Sequence, residues 1–192
     1  MKISYCLARI LGSIAEAEAL TLGVPMATAL VDGEGGLLFF GRMDGTLPAS
    51  TELAVAKAYT AAALRMATHE VGKLAQPGGV LYGIQHTHPG RIVLFGGGLP
   101  LRLQGKVAGA IGISGGTVDE DIRVAKPVVE ALQHMEALSV RIKPSLPAKP
   151  QEMSSICGLE GIVGKEVERM NCPLTPGEIS ILTGAIILAA GE

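Results

Sequence analysis

Residues 91–121, RIVLFGGGLPLRLQGKVAGAIGISGGTVDED, constrain the fold more than any other stretch, because three apolar, strand-like runs are parted by glycines and lead directly into an acidic helix start. Gly96, Gly97 and Gly98 break the first run, Gln104, Gly105 and Lys106 make a short reversal, and Gly115 with Gly116 releases the last run into Thr117. Connections this short leave no room for crossover helices, so the spacing predicts three antiparallel neighbours. Thr117 followed by Glu120 reads as a capping box, and Val118, Ile122, Val124, Ala125, Val128, Val129 and Leu132 supply the apolar face of a last helix.

The upstream half supplies the remaining layers. Ile3, Leu7, Ile10, Leu11, Ile14, Ala17 and residues 19–22 recur at helical spacing, and Gly23 and Pro25 stop that helix. Residues 26–31 and 37–43 are apolar runs on either side of Asp32-Gly33-Glu34-Gly35-Gly36, the pattern of a hairpin. From Ser50 the chain turns Ala-rich through Leu64, a strong helix former, and residues 68–74 add a short helical piece before Gln76-Pro77-Gly78-Gly79. The expected order is α-β-β-α-α-β-β-β-α, an α+β fold with helices on a five-stranded antiparallel sheet. Residues 26–31 and 107–113 are apolar at nearly every position and so belong at the centre, with 37–43 and 91–95 as outer strands.

Composition limits the partners. Nearly half of the 192 residues are apolar, and the formal charge of −2 comes without a Lys/Arg cluster, which argues against nucleic acid and against an electrostatic membrane anchor. The longest apolar run, 179–190, falls short of the ~20 residues a spanning helix needs. Arg9 interrupts the apolar N-terminus, which therefore reads as a helix and not as a signal peptide. Cys6, Cys157 and Cys172 are odd in number and lack CxxC spacing, as expected of reduced thiols in a cytoplasmic protein. The stretch KPSLPAKP, within a predicted linker at 143–152, ends a domain of residues 1–142. Residues 153–192 then read as a helical extension, with Met153, Ile156, Leu159, Ile162, Val163, Val167 and Met170 on one face.

Four blocks, ALVDGEGGLLFFGRMDG (29–45), AVAKAYTAAAL (54–64), FGGGLPL (95–101) and GAIGISGGTVDED (109–121), occur in one order over residues 3–138. Together they resemble the GlcG/HbpS family, also described as haem-degrading, which includes the C-terminal domain of the propanediol-utilisation protein PduO. Residues 76–100, QPGGVLYGIQHTHPGRIVLFGGGLP, are similar to members associated with diol or glycerol dehydratases and bacterial microcompartments. The resemblance implies a profilin-like α/β/α sandwich, homo-oligomers, and haem or a corrinoid as ligand.

The candidate site residues follow from chemistry. His86 and His88 alternate around Thr87, so on an extended segment two imidazoles would face one side and could share a metal or offer a haem an axial nitrogen; the ordinary alternative is a polar loop. His69 and His134 fall on predicted helices and read as surface histidines. Some family members bind haem through a histidine or cysteine near the first helix, where this chain offers only Cys6; core filling is the ordinary reading for that thiol. Arg42, Asp44 and Lys57 form a polar set, read either as an ion pair between Lys57 and Asp44 or a solvated Lys57, or as a rim gripping a ligand carboxylate such as a haem propionate. Gly96, Gly97 and Gly98 precede a strand instead of opening a helix, which excludes a dinucleotide fingerprint and leaves a bend with close backbone approach, to a flat ligand or a neighbouring subunit. Gly115-Gly116-Thr117 resembles an anion cradle, but Asp119, Glu120 and Asp121 already fill that field.

No catalytic constellation emerges. The leading expectation is a non-catalytic, oligomeric protein binding haem or a corrinoid in cobalamin-dependent diol, glycerol or glycolate-type metabolism. The alternatives are a microcompartment cargo or structural protein docking a dehydratase-system or shell partner through its C-terminal helices, and a small-molecule enzyme.

Overall fold

The computed structural model describes residues 2–142, so the predicted linker and C-terminal helices lie outside the described residues. The chain divides into two compact units, Met1–Leu132 and Gln133–Glu192, and the first contains every element from α1 to β4. Helix α1 (Tyr5–Leu22) starts where the Ser4 hydroxyl accepts from the Leu7 amide and ends at Gly23, whose φ of 68° is the left-handed cap that glycine adopts without strain. Strands β1 (Ala27–Asp32) and β2 (Leu37–Arg42) form the expected hairpin. Its turn is closed by Asp32, whose Oδ1 accepts from the amides of Glu34 and Gly36 at 2.9 and 2.8 Å. Helices α2 (Pro48–Ala63) and α3 (Thr68–Leu74) follow, then β3 (Gly98–Leu103), β4 (Lys106–Ser114) and α4 (Val118–Ile142).

The sheet is antiparallel in the order β2-β1-β4-β3. In register, Ala27 faces Arg42 on one side and Ser114 on the other, and Gly98 faces Gly112. The two continuously apolar runs are the central strands, as their composition requires, and both are almost wholly buried. Helix α2 covers one face. Its Ala54, Ala58, Ala61 and Ala62 pack on Ala27, Ala29, Val31 and Ala110, with Phe40 beside them. The alanines do more than favour helix: a Cβ at Gly112 would collide with the backbone of Ala54 and Ala58, so small residues on both sides bring helix and sheet into backbone contact. The opposite face receives α1, where the missing side chain of Gly12 makes room for the ring of Phe39. Arg123 of α4 donates to Glu18 of α1 at 3.2 Å, an exposed link between the two helices.

One expected strand is absent. Among the described residues the sheet has four strands, not five, and residues 91–95 form a loop instead of an outer strand; β3 takes that edge. The physical reason is a competing partner. The Thr60 hydroxyl of α2 accepts from the Val93 amide at 3.0 Å and shares its one proton between the Ala56 carbonyl of its own helix at 2.8 Å and the Arg91 carbonyl at 2.9 Å, so backbone groups a ladder needs are engaged by a helix side chain. Gly72 of α3 also lets the Leu94 carbonyl approach so closely that any side chain there would clash. Among the described residues no helix is long and apolar enough to cross a membrane.

Candidate functional site

The polar centre of the first unit is a buried ion pair. Lys57, from the middle of α2, donates to Asp121 Oδ2 at 2.6 Å and to the Ile113 carbonyl at 2.9 Å, and its ammonium lies 4.9 Å from the centre of the Phe95 ring. Asp121, in the first turn of α4, also accepts from the Gly116 amide at 3.1 Å. Both side chains are sealed, at 0% and 3% exposure. Burial pushes the Lys57 ammonium below its ordinary pKa and raises the Asp121 carboxyl above the usual range, while their mutual hydrogen bond and charge oppose both shifts. Gly97 forms the lid of this pair. It sits at φ 111°, and a Cβ there would come within 2.9 Å of both Lys57 Nζ and Asp121 Cβ. The glycine run thus serves close backbone approach, to a neighbouring ion pair in the same chain.

This arrangement corrects two expectations. The partner of Lys57 is Asp121, not Asp44, and a fully buried Lys57 does not join Arg42 and Asp44 in an exposed rim. Arg42 and Asp44 are both exposed at the end of β2, and Arg42 donates to the Thr46 carbonyl at 3.1 Å. The acidic helix start behaves as expected at Glu120, which accepts from the Thr117 amide at 2.7 Å and is held below the usual carboxylate range by that bond. Asp121 turns inward instead. Helical spacing carries the signal, since Asp121 lies three, seven and eleven residues before Val124, Val128 and Leu132, all buried. The Gly116 and Thr117 amides are used by these carboxylates, which accounts for the donors of the anion cradle.

Residues 76–97 form a turn-rich loop in which Gly78, Gly83 and Gly90 take positive φ. His86 ends a 3-10 turn, Ile84–His86, and His88 follows in the next turn, so the two imidazoles do not alternate along an extended segment. Both are exposed. His86 Nε2 lies 3.3 Å from Gln85 Nε2, and His88 Nδ1 lies 3.0 Å from the Thr87 hydroxyl. Val80 and Tyr82, on the same loop, are 86% and 67% exposed, and Phe95 is partly so. The loop therefore carries two exposed imidazoles and two exposed, largely apolar side chains. Arg91 stacks over the Tyr59 ring at 3.5 Å, a contact that sequence patterns did not reveal.

The other candidates are dispersed. Cys6 is exposed rather than core filling, because it projects opposite the face of α1 that buries Leu7, Leu11, Ala15 and Ala19. His134 is exposed as expected, whereas His69 is half-buried and its Nδ1 has no hydrogen-bond partner among the described residues. Among the described residues no group of three or more His, Cys, Asp or Glu side chains is placed to hold a metal ion. An open recess of about 340 Å³, lined by Leu99, Pro100, Lys126, Val129 and Glu130, contains none of the candidate residues.

Comparison with known proteins adds four likenesses. Residues 3–130 match the family model described as haem degrading protein HbpS-like. A 15.0 kDa protein of Citrobacter freundii, encoded in the dhaT-dhaS intergenic region and itself uncharacterised, is 43% identical over 133 residues, 69% of this chain and 94% of that protein. The corrinoid adenosyltransferase PduO of the same organism is 41% identical over 115 residues, 60% of this chain and only 34% of PduO. The crystal structure of a PduOC:heme complex superposes with a TM-score of 0.63 at 40% identity, covering 64% of this chain and 89% of that one.

Proposed function

This chain belongs to the haem degrading protein HbpS-like family, and on that premise we propose that it is a non-catalytic ligand-binding protein for haem or a related tetrapyrrole such as a corrinoid. The observation that carries the proposal is the 40% identity to a domain crystallised with haem, over nearly two thirds of this chain. The loop at 76–97 supplies matching chemistry: His86 or His88 would hold the iron through an imidazole nitrogen, and Val80 and Tyr82 would offer apolar surface to the ring. When bound, the haem would supply the redox-active iron, and the protein's part is to bind and orient it. The helices on both faces of the sheet support a profilin-like α/β/α sandwich, and homo-oligomers follow from the same family reading. The likeness to PduO and to the dhaT-dhaS region protein supports a place in diol or glycerol metabolism.

Titration of the purified chain with haemin, and in parallel with cobalamin, tests the proposal. A saturable shift of the Soret or corrinoid band is expected, weakened for haemin when His86 and His88 are both replaced by alanine. The absence of a saturable change with either compound refutes it.

A further inference from the structure

The loop that carries the histidines also holds a cation in an unusual state. The sequence His88-Pro89-Gly90-Arg91 makes a tight turn: Gly90 has φ 75°, and the Arg91 amide donates to the His88 carbonyl at 3.0 Å. The Arg91 carbonyl lies 2.9 Å from the Thr60 hydroxyl, whose proton it shares with the Ala56 carbonyl, so its backbone is contacted on both sides. Its guanidinium lies 3.5 Å over the Tyr59 ring, and that ring is itself packed against the hairpin, since a Cβ at Gly35 would come within 2.7 Å of it.

Stacking fixes a guanidinium through its face and leaves the in-plane N–H donors available. Arg42, Arg102 and Arg123 have side-chain donors engaged by Thr46, by Arg65 and Gly105, and by Glu18 respectively, while Arg9 and Arg65 are exposed without such partners among the described residues but also without the aromatic ring that orients Arg91. The Arg91 guanidinium is exposed and, among the described residues, has neither a hydrogen bond nor an ion pair. A planar fork that is already oriented, open to solvent and short of an acceptor matches a carboxylate bidentately, with little ordering left to be done on binding.

We propose that Arg91, stacked on Tyr59 with its donors open, is a carboxylate anchor for a ligand of otherwise apolar character that lies along the loop bearing Val80 and Tyr82. Carboxylate recognition stands on this geometry alone; its assignment to a haem propionate rests on the haem-binding reading above. Two measurements on the full chain separate the claims. In the first, the Arg91 Nε–H resonance is followed while succinate is added, with sodium chloride at matched ionic strength as control. A saturable shift with succinate and none with chloride is expected, and a chloride-like response overturns the anchor.

In the second, haemin and its dimethyl ester, which lacks free carboxylates, are titrated into wild type, Arg91→Gln, Arg91→Lys and Tyr59→Leu, each checked for an unchanged thermal melt. Arg91→Gln should weaken haemin roughly tenfold and leave the ester unaffected, in keeping with loss of a charge-assisted hydrogen bond. Arg91→Lys should recover only part, because it restores charge without the planar fork, and Tyr59→Leu should weaken haemin with the charge intact. Equal haemin affinity in wild type and Arg91→Gln overturns the propionate assignment. If wild type takes up no haemin, the haem reading falls, while the succinate titration still decides the anchor.

Discussion

Replacing Lys57 by methionine tests the buried centre most directly. The substitution keeps the apolar stem, removes the ammonium 2.6 Å from Asp121, and leaves that carboxylate with the Gly116 amide at 3.1 Å as its remaining donor. The Ile113 carbonyl loses its Lys57 donor as well. Breaking one side of a sealed pair costs about 3–5 kcal/mol, because the surviving charge stays buried without compensation. Asp121→Asn preserves shape and an acceptor for Gly116 but strands the ammonium, at a cost of about 3 kcal/mol. In the double variant neither charge remains, and the loss falls to the net worth of one or two neutral hydrogen bonds, about 1–2 kcal/mol.

The chain has no Trp, so urea unfolding followed by circular dichroism at neutral pH is the suitable assay, with the slope m required to stay constant. A double variant that loses about as much as the two single variants together refutes the argument, since the side chains would then act independently. The pH dependence carries a second check. In Lys57→Met, Asp121 has a folded pKa raised by burial above its unfolded value. A raised carboxyl favours the fold at pH below the unfolded value, and that contribution is lost as pH rises through the folded value. The deficit of Lys57→Met should therefore be small in acid and grow toward neutrality.

Other outcomes follow from the same geometry. Gly97→Ala should cost about 3 kcal/mol, since φ is 111° and the new Cβ would press on Lys57, Asp121 and the Ile113 carbonyl; Gly78→Ala, at φ 85° with open space around it, should cost about 1 kcal/mol by the same thermal or urea measurement. Thr60→Ala should cost about 2 kcal/mol by leaving the buried Val93 amide without its acceptor, and hydrogen exchange at that amide should accelerate beyond the global change. Thr117→Ala should cost about 1 kcal/mol as loss of an N-cap. In wild type the depressed pKa of Glu120 means that its contribution to the start of α4 is present above the unfolded value and lost as pH falls through the folded one, which a pH titration of the Thr117 amide would follow.

What was legible in the sequence was whatever depends on pattern along one element. Continuous apolar runs identified β1 and β4 as central, the Asp-Gly cluster set the hairpin, and Thr117 with Glu120 marked the start of α4. What was not legible depends on which partner reaches a group first. Residues 91–95, RIVLF, have the composition of a strand, yet a single hydroxyl on α2 claims two of their backbone groups. Lys57 has Asp44 only 13 residues away in sequence, and pairs with Asp121, 64 residues away. Helical spacing could have indicated the second, because a carboxylate on the buried stripe of α4 needs a buried cation. Cys6 departs from the core place its apolar neighbours suggest, since an apolar helix still exposes the side opposite its core stripe.

The missing strand bears directly on the candidate site. Had residues 91–95 joined the sheet, the Arg91 and Val93 backbone would run in a ladder at the edge and the turn before it would be drawn out straight. Instead α2 holds the end of the loop at two points one helical turn apart: Thr60 grips Arg91 and Val93, and Lys57, with Asp121, packs beneath Gly97 and the Phe95 ring. Between Gly78 and Gly90 the chain remains a succession of turns that leaves His86 and His88 exposed, while Arg91 is set on Tyr59. Lys57 and Thr60, one helical turn apart on an alanine-rich helix, thus support the loop that we propose to bind the ligand. Substitution of Lys57 or Thr60 should for this reason weaken ligand binding without either side chain touching the ligand, in proportion to the loss of order at residues 88–97 measured by hydrogen exchange.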